Sequence, residues 1–381
     1  MAHIEDRRDE GKGWRVRYRA PDHRERNKSF ARKIDAGRFL VSIEHAKLRG
    51  EWVDPDLGNT RFGDYAAAWV ETKGNVRPRT RVNVEGRLRN HILPYFGSMR
   101  LTLIRPSDVR AWVKELSDAR LAPSTVKASY LTFGQIMRTA EIDGFVRRSP
   151  CIGIELPADV STEEMHFLTP AQVSQLAGAI APRFSVAIVT AAYTGMRAGE
   201  LWALKHSRMN LLRRTIDVVE SLVELGGRIT VGPTKTRARR TLTLPRFLAE
   251  ILAEHARAYP SPDGYVFSST EGGPVRHRNF YARHFRPAVK AAGLPGSLRF
   301  HDLRHTCASI LIAQGWNHKQ IQVRLGHATI RTTLDRYGHL FDAHDAALLE
   351  GLDGVYRDSL AAPARPREGP VLAMDAKQGA R

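Results

Sequence analysis

Residues 12–30 alternate with a period of two. Trp14, Val16 and Tyr18 fall on one face and Arg15, Arg17 and Arg19 on the other, the signature of a half-buried strand. Pro21-Asp22 predicts a turn, and Arg26 to Phe30 a returning strand. From Lys33 to Arg49 the period lengthens to that of a helix, with Phe39, Leu40, Ile43 and Leu48 on one side. Turn residues across 51–59 predict a linker. From Arg61 to about Arg148 the pattern is helical throughout. Phe62, Tyr65, Ala66 and Trp69 share a face; Thr80, Val84, Leu88 and Ile92 share a second. Pro106-Ser107-Asp108 opens a third helix through Val109, Trp112, Val113 and Leu116. Ser124 is the expected N-cap of a fourth, through Val126, Tyr130, Phe133, Ile136, Met137 and Ala140.

A second linker is expected over Ser149–Glu164, with Pro150, Gly153 and Pro157. Beyond it Thr169-Pro170 opens a helix, another runs from about Phe184 to Tyr193, and Ala198 to Leu204 resumes helix. Three strand-like runs follow, at Thr215–Val219, Arg228–Val231 and Arg240–Leu244, and helical segments continue to about Leu360. The Pro-, Ala- and Gly-rich tail 361–381 is expected to be disordered. No internal repeat is evident.

A chain of 381 residues exceeds the roughly 250–300 at which single cores stop growing, so several domains are expected. The formal charge of +19 changes the picture more than length does. Such an excess of Lys and Arg attracts polyanions, nucleic acid first. A membrane is the weaker option. The apolar run near Val186–Ala192 is far short of the about 20 residues a spanning helix needs, and the charged Met1–Glu10 stretch does not read as a signal peptide. Cys151 and Cys307 form neither a metal-ligand pattern nor a disulfide framework, which fits a reducing cytoplasm.

Two clusters carry candidate chemistry. One is Thr194-Gly195-Met196-Arg197-Ala198-Gly199-Glu200-Leu201. The other runs from His301-Asp302-Leu303-Arg304-His305 through Leu325-Gly326-His327 to Tyr337. Two arginines, a lysine, imidazoles and a phenol can break a phosphodiester through a covalent protein–phosphate bond with no metal. Arginine suits the task because its fork holds two phosphoryl oxygens and stays charged. Free tyrosine titrates near 10, so ionising it at pH 7 costs about 4 kcal/mol. Nearby cations are expected to offset part of that. No H-E-x-x-H zinc motif, carboxylate cluster or Walker-type phosphate loop is present, so no metal, ATP or other cofactor is expected.

These motifs resemble those of the tyrosine recombinases of the phage-integrase type: TGMRAGEL at 194–201, the lysine of PTKTRARR at 233–240, HDLRH at 301–305, LGH at 325–327 and the tyrosine of TTLDRYGHL at 332–340, in order. The resemblance implies a multidomain, mainly α chain. A small β-sheet-plus-helix arm-type DNA-binding domain would span 1–55 and a helical, SAM-like core-binding domain 60–150. A mixed α catalytic domain with a small antiparallel β-sheet would span 163–360.

It also implies roles. Tyr337 would be the nucleophile, preferred over Tyr193, Tyr281 and Tyr356. Arg197 and Arg304 would stabilise the phosphoryl transition state. Lys235 would be the general acid, with Lys205 a weaker rival. His301 would assist proton transfer or orient the phosphate, and His327 would hydrogen-bond a non-bridging oxygen. Glu200 is expected to pair with neighbouring basic groups and His305 to be a structural hydrogen-bonder. Arg15, Arg17 and Arg19, and Arg77, Arg79 and Arg81 with Arg87 and Arg89 beyond, are candidate DNA contacts.

The implied partners are double-stranded DNA attachment sites and further copies of the chain in a tetramer, with a host DNA-bending protein and an excision factor as possible accessories. The apolar stripe Leu348, Leu349, Leu352, Val355 and Tyr356 fits ordinary core packing or, as the resemblance implies, docking on a neighbouring subunit. Two other readings stand beside this one, a type IB topoisomerase-like enzyme and a catalytically silent DNA-binding regulator of the same fold.

Overall fold

In the N-terminal part, β1 (His3–Asp6), β2 (Trp14–Arg19) and β3 (Glu25–Phe30) form an antiparallel sheet in that order. The computed structural model describes residues 2–19, 25–48, 57–74, 76–158, 165–234, 239–341, 352–354 and 356–358. The chain divides into two compact units, Met1–Glu163 and Glu164–Arg381. Lys235, the turn at Pro21-Asp22, linker residues 51–56, Leu348, Leu349, Val355 and the tail lie outside the described residues.

Helix α1 (Lys33–Leu48) packs on the sheet face carrying Val16 and Tyr18, with Ala36, Phe39, Leu40 and Ile43 beneath. Leu48 departs from expectation and is exposed, because the sheet's apolar cluster reaches along the helix only to Ile43. Strand β1 was not anticipated. Its His-Ile-Glu-Asp sequence is mostly polar, and it is recruited by pairing with β2, Ile4 opposite Val16.

A separate apolar cluster in the same unit is helical. It comprises α2 (Phe62–Thr72), α3 (Pro78–Arg87), α4 (Leu93–Phe96), α5 (Pro106–Asp118) and α6 (Pro123–Ile142). Phe62, Phe96, Trp112 and Phe133 meet at its centre, with Phe96 stacked on Phe133 at 4.4 Å. A π-turn at Leu88–Ile92 joins α3 to α4 just ahead of Pro94, whose ring nitrogen cannot continue an α-helical ladder. Ser124 is not the cap of α6. Ala122 holds that position and Pro123 opens the helix, as proline also does in α3 and α5, where its fixed φ and missing N–H cost nothing.

The second unit opens with α7 (Pro170–Ala179), α8 (Pro182–Thr194) and α9 (Ala198–Trp202). Thr169 caps α7, accepting from the Gln172 amide at 3.2 Å. Strands β4 (Met209–Asn210), β5 (Thr215–Val218), β6 (Glu220–Leu225), β7 (Arg228–Pro233) and β8 (Arg240–Thr243) follow, as an antiparallel β4-β5-β8 sheet and a β6-β7 hairpin. Strand β6 was missed although its signal was present. Gly226-Gly227, both at positive φ, is the two-residue turn a hairpin wants. Helices α10 (Arg246–Ala258), α11 (His277–Phe280), α12 (Arg286–Ala291), α13 (Asp302–Ala313), α14 (His318–Leu325) and α15 (Ile330–Tyr337) complete the unit. Trp202, Phe267, Phe280, Phe285 and Phe300 form its main core, and Cys307, Leu311, Ile321, Leu325 and Tyr337 a second, smaller one. No helix among the described residues is long and apolar enough to cross a membrane.

Candidate active site

The site is assembled from the ends of helices. Helix α8 stops at Gly195, a left-handed residue at φ +67°. This reversal sets Arg197 at the start of α9. Glu200, one turn on, accepts from the Arg197 amide at 3.0 Å and from its Nη1 at 2.8 Å. The same carboxylate accepts from Arg240 Nη2 at 2.6 Å and Nη1 at 3.2 Å. Glu200 is only 2% exposed. Burial alone would raise its pKa, but the Arg240 hydrogen bonds and the charges of Arg240 and Arg197 outweigh that and hold it down at about 2. It is therefore an ionised anchor for two arginines.

Helix α13 brings His301, Arg304 and His305 together in its opening residues. Arg304 is 3% exposed and donates from Nη1 to the Gly195 carbonyl at 2.6 Å. Its Nη2 is buried with no hydrogen-bond partner among the described residues. Burial, reinforced by the charge of Arg197, lowers the Arg304 pKa to about 9, so the guanidinium remains charged at neutral pH. At the other end of the site α14 stops at Gly326, again left-handed, and Arg197 Nη2 donates to its carbonyl at 3.1 Å.

His327 follows Gly326, with Nδ1 at 2.9 Å from Thr333 Oγ1. Burial and the nearby Arg304 and Arg197 push its pKa down to about 3. His301 reaches solvent at one edge of the site. Partial desolvation there, with His305, Arg304 and Arg336 around it, lowers it to about 4. All three imidazoles, His305 included, are neutral at pH 7.

Tyr337 ends α15 with 0% exposure. Its Oη lies 2.8 Å from His305 Nδ1, and its ring lies nearly parallel to that of His327 at 6.4 Å. Burial raises the phenol to about 12 despite Arg304 and Arg336. The surrounding cations do pull the phenol down as expected, but desolvation of the phenolate exceeds their attraction, so the net shift is upward. The rival tyrosines lie in other contacts. Tyr193 packs edge-on to Phe247, Tyr281 stacks on Phe285, and Tyr356 is exposed. Lys205 sits over the Tyr265 ring.

Three contributors escaped the sequence reading: Arg240, Thr333 and the carbonyl of Gly326. Arg240 stood within the basic run 233–240, but a run of charge does not reveal which member turns inward. It is nearly buried between Glu200 and the Arg324 carbonyl. The candidate DNA-contacting arginines divide. Arg15 is half-buried, whereas Arg17 and Arg19 are exposed and pair with Glu5 and Glu25. Arg77 precedes α3 and Arg79 is exposed, but Arg81 is engaged by Glu71 at 2.7 Å and Glu85 at 2.8 Å.

Residues 166–344 match the model of the phage integrase family, and residues 61–117 that of the phage integrase N-terminal SAM-like domain. A putative prophage phiRv2 integrase of Mycobacterium tuberculosis is 31% identical over 357 residues, covering 89% of this chain and 92% of that protein. The integrase of Mycobacterium phage L5 is 26% identical over 345 residues, covering 87% and 91%. The fold is similar to that of the Tn1549 transposon integrase in complex with transposon right end DNA, at a TM-score of 0.68 and 24% identity over 77% of this chain and 100% of that one. A lambda integrase tetramer bound to a Holliday junction aligns at a TM-score of 0.54 and 18% identity, covering 86% and 95%. These relatives do not favour the topoisomerase or silent-regulator readings. The chain belongs to the phage integrase family of tyrosine recombinases.

Proposed function

We propose that this chain integrates or excises phage or mobile-element DNA, cutting and rejoining strands at paired attachment sites through a 3′-phosphotyrosyl link on Tyr337. The observation that carries this reading is the charged, buried guanidinium of Arg304, whose Nη2 has no hydrogen-bond partner among the described residues, beside Arg197, three neutral imidazoles and the phenol of Tyr337. Buried donors without acceptors are costly, and a phosphodiester's non-bridging oxygens complement them.

In this reading Tyr337 Oη attacks phosphorus while Arg197 and Arg304 hold the non-bridging oxygens. His327, neutral and with Nδ1 engaged by Thr333, donates from Nε2 to one of them. His301 assists proton transfer, and Lys235 protonates the departing 5′-oxygen. With Tyr337 near 12, ionisation at pH 7 costs about 7 kcal/mol at about 1.36 kcal/mol per unit. Loss of the phenolic proton is therefore coupled to attack, neutral His301 receiving it as the Oη–phosphorus bond forms, and the cationic cluster acts chiefly on the transition state. The later exchange of strands joins four copies of the chain through a Holliday junction.

We further assign residues 1–55 to arm-type and 60–150 to core-type DNA contacts, and 163–360 to catalysis. Residues 342–360 dock on a neighbouring subunit. The protein acts at the bacterial nucleoid, with a host DNA-bending protein and an excision factor as accessories.

The test is incubation with a nicked attachment-site duplex, followed by a denaturing gel. Wild type forms a covalent adduct and Tyr337→Phe forms none. An adduct from the variant, or none from wild type, refutes the reading.

A further inference from the structure

The His305 ring lies edge-on to Tyr337, with Nδ1 at 2.8 Å from Oη. Both groups are sealed from solvent, His305 at 3% and Tyr337 at 0% exposure. A protonated phenol donates, so Nδ1 accepts. The ring proton then sits on Nε2, which points toward the Asp302 carboxylate at 4.0 Å. The opposite tautomer would turn an Nε2 lone pair on that carboxylate. Asp302 is itself fixed, accepting from the Arg299 amide at 2.7 Å and its Nη2 at 3.1 Å. The other groups facing His305 are His301, with rings 5.0 Å apart, Phe167, and the charges of Arg304, Arg336 and Arg299. Burial and these cations, against the pull of Asp302, lower the His305 pKa to about 4, so it is a neutral acceptor across the working pH range.

We propose that His305 is a positioning residue for the nucleophile. Its Nδ1 takes the phenolic hydrogen bond of Tyr337, fixing the side chain's rotamer and leaving the oxygen's lone pairs directed away from the histidine. This deepens the reading of the chain as a recombinase and rests on it. His305 does not remove the proton; it fixes where the attacking oxygen lies. Misplacing a reacting atom by about an ångström costs on the order of 100-fold in rate.

The test compares wild type with His305→Leu and His305→Ala, two ways of removing the acceptor, so that misfolding of one leaves the other. His305→Asn keeps an acceptor at the Nδ1 position and cannot titrate. Each is incubated with a nicked attachment-site duplex, in one arm with an ordinary scissile phosphate and in the other with sulfur at the bridging 5′ position. The sulfur leaves without needing a proton. The Leu and Ala variants should form adduct about 10- to 100-fold more slowly on both substrates. DNA affinity should be unchanged. His305→Asn should recover to within about threefold of wild type, with the same pH profile.

The proposal is overturned if the Leu and Ala variants cleave as fast as wild type or faster, or are slow only on the oxygen substrate. It is also overturned if His305→Asn melts like wild type yet stays as slow as His305→Ala. Absence of adduct from wild type itself would instead mark failure of the recombinase reading, and the proposal would fall with it.

Discussion

The carbonyl of Gly195 accepts a 2.6 Å hydrogen bond from Arg304, although the two residues lie on different helices and 109 positions apart. Gly326 does the same for Arg197 at 3.1 Å. Each glycine ends its helix in the left-handed conformation, so its carbonyl is free to turn toward the arginine of the other motif. The two motifs thereby aim each other's guanidinium groups.

Gly195→Ala should therefore damage both fold and site. A Cβ there would collide with the Leu325 side chain and crowd Cys307 Sγ at 3.2 Å, at a φ that disfavours any side chain. The strain and overpacking together should cost about 2–4 kcal/mol. Urea denaturation reads the loss, and adduct formation should fall even below the unfolding transition. An unperturbed midpoint would contradict the tight approach.

Glu200 holds two arginines from a position 2% exposed. Glu200→Ala leaves both charges without their carboxylate and should cost about 3–5 kcal/mol. Glu200→Gln keeps shape and one acceptor and should cost less. Equal denaturation midpoints for wild type and the Ala variant would show that Arg197 and Arg240 find other partners.

Stability should fall in acid in two stages. His305 and His327 titrate near 4 and 3 when folded, against 6.5 for the free group. Between about 6.5 and 4 the unfolded chain binds protons that the folded chain refuses, so stability drops as pH falls through that window and is flat above it. Glu200, held near 2 against 4.5, stabilises above 4.5 and loses that contribution as pH falls toward 2. Urea midpoints from pH 7.5 to 4 should trace the first stage, and His305→Asn should make it shallower. A midpoint independent of pH across 6.5–4.5 would contradict the burial of these rings.

Arg79 and Arg81 should differ in DNA binding although they are two residues apart. Arg79 is exposed and has no ion pair among the described residues, whereas Arg81 is shared between Glu71 and Glu85. Each phosphate neutralised contributes roughly −0.9 to the slope of log affinity on log salt. Arg79→Ala should reduce the slope by about that amount and Arg81→Ala by less. Identical slopes for the two variants would refute the distinction.

Much of this was readable from the chain itself. Period-two alternation at Trp14, Val16 and Tyr18 located β2, and prolines at 106 and 170 marked where helices begin, because these signals act within a few residues. Strand β1 and the exposure of Leu48 escaped because they depend on which distant surface is available to cover them.

The sequence by itself determined which chemical groups are available and in what order: two arginine-bearing motifs, a histidine after Leu325-Gly326, and a tyrosine ten residues later. Only the tertiary structure decided which arginine turns inward to Glu200, that the phenol is harder to ionise than free tyrosine, and that His305 meets it. Local pattern follows from backbone and side-chain preferences along a single segment. Burial and hydrogen-bond partners depend on segments more than a hundred residues apart being folded together, as Gly195 and Arg304 are.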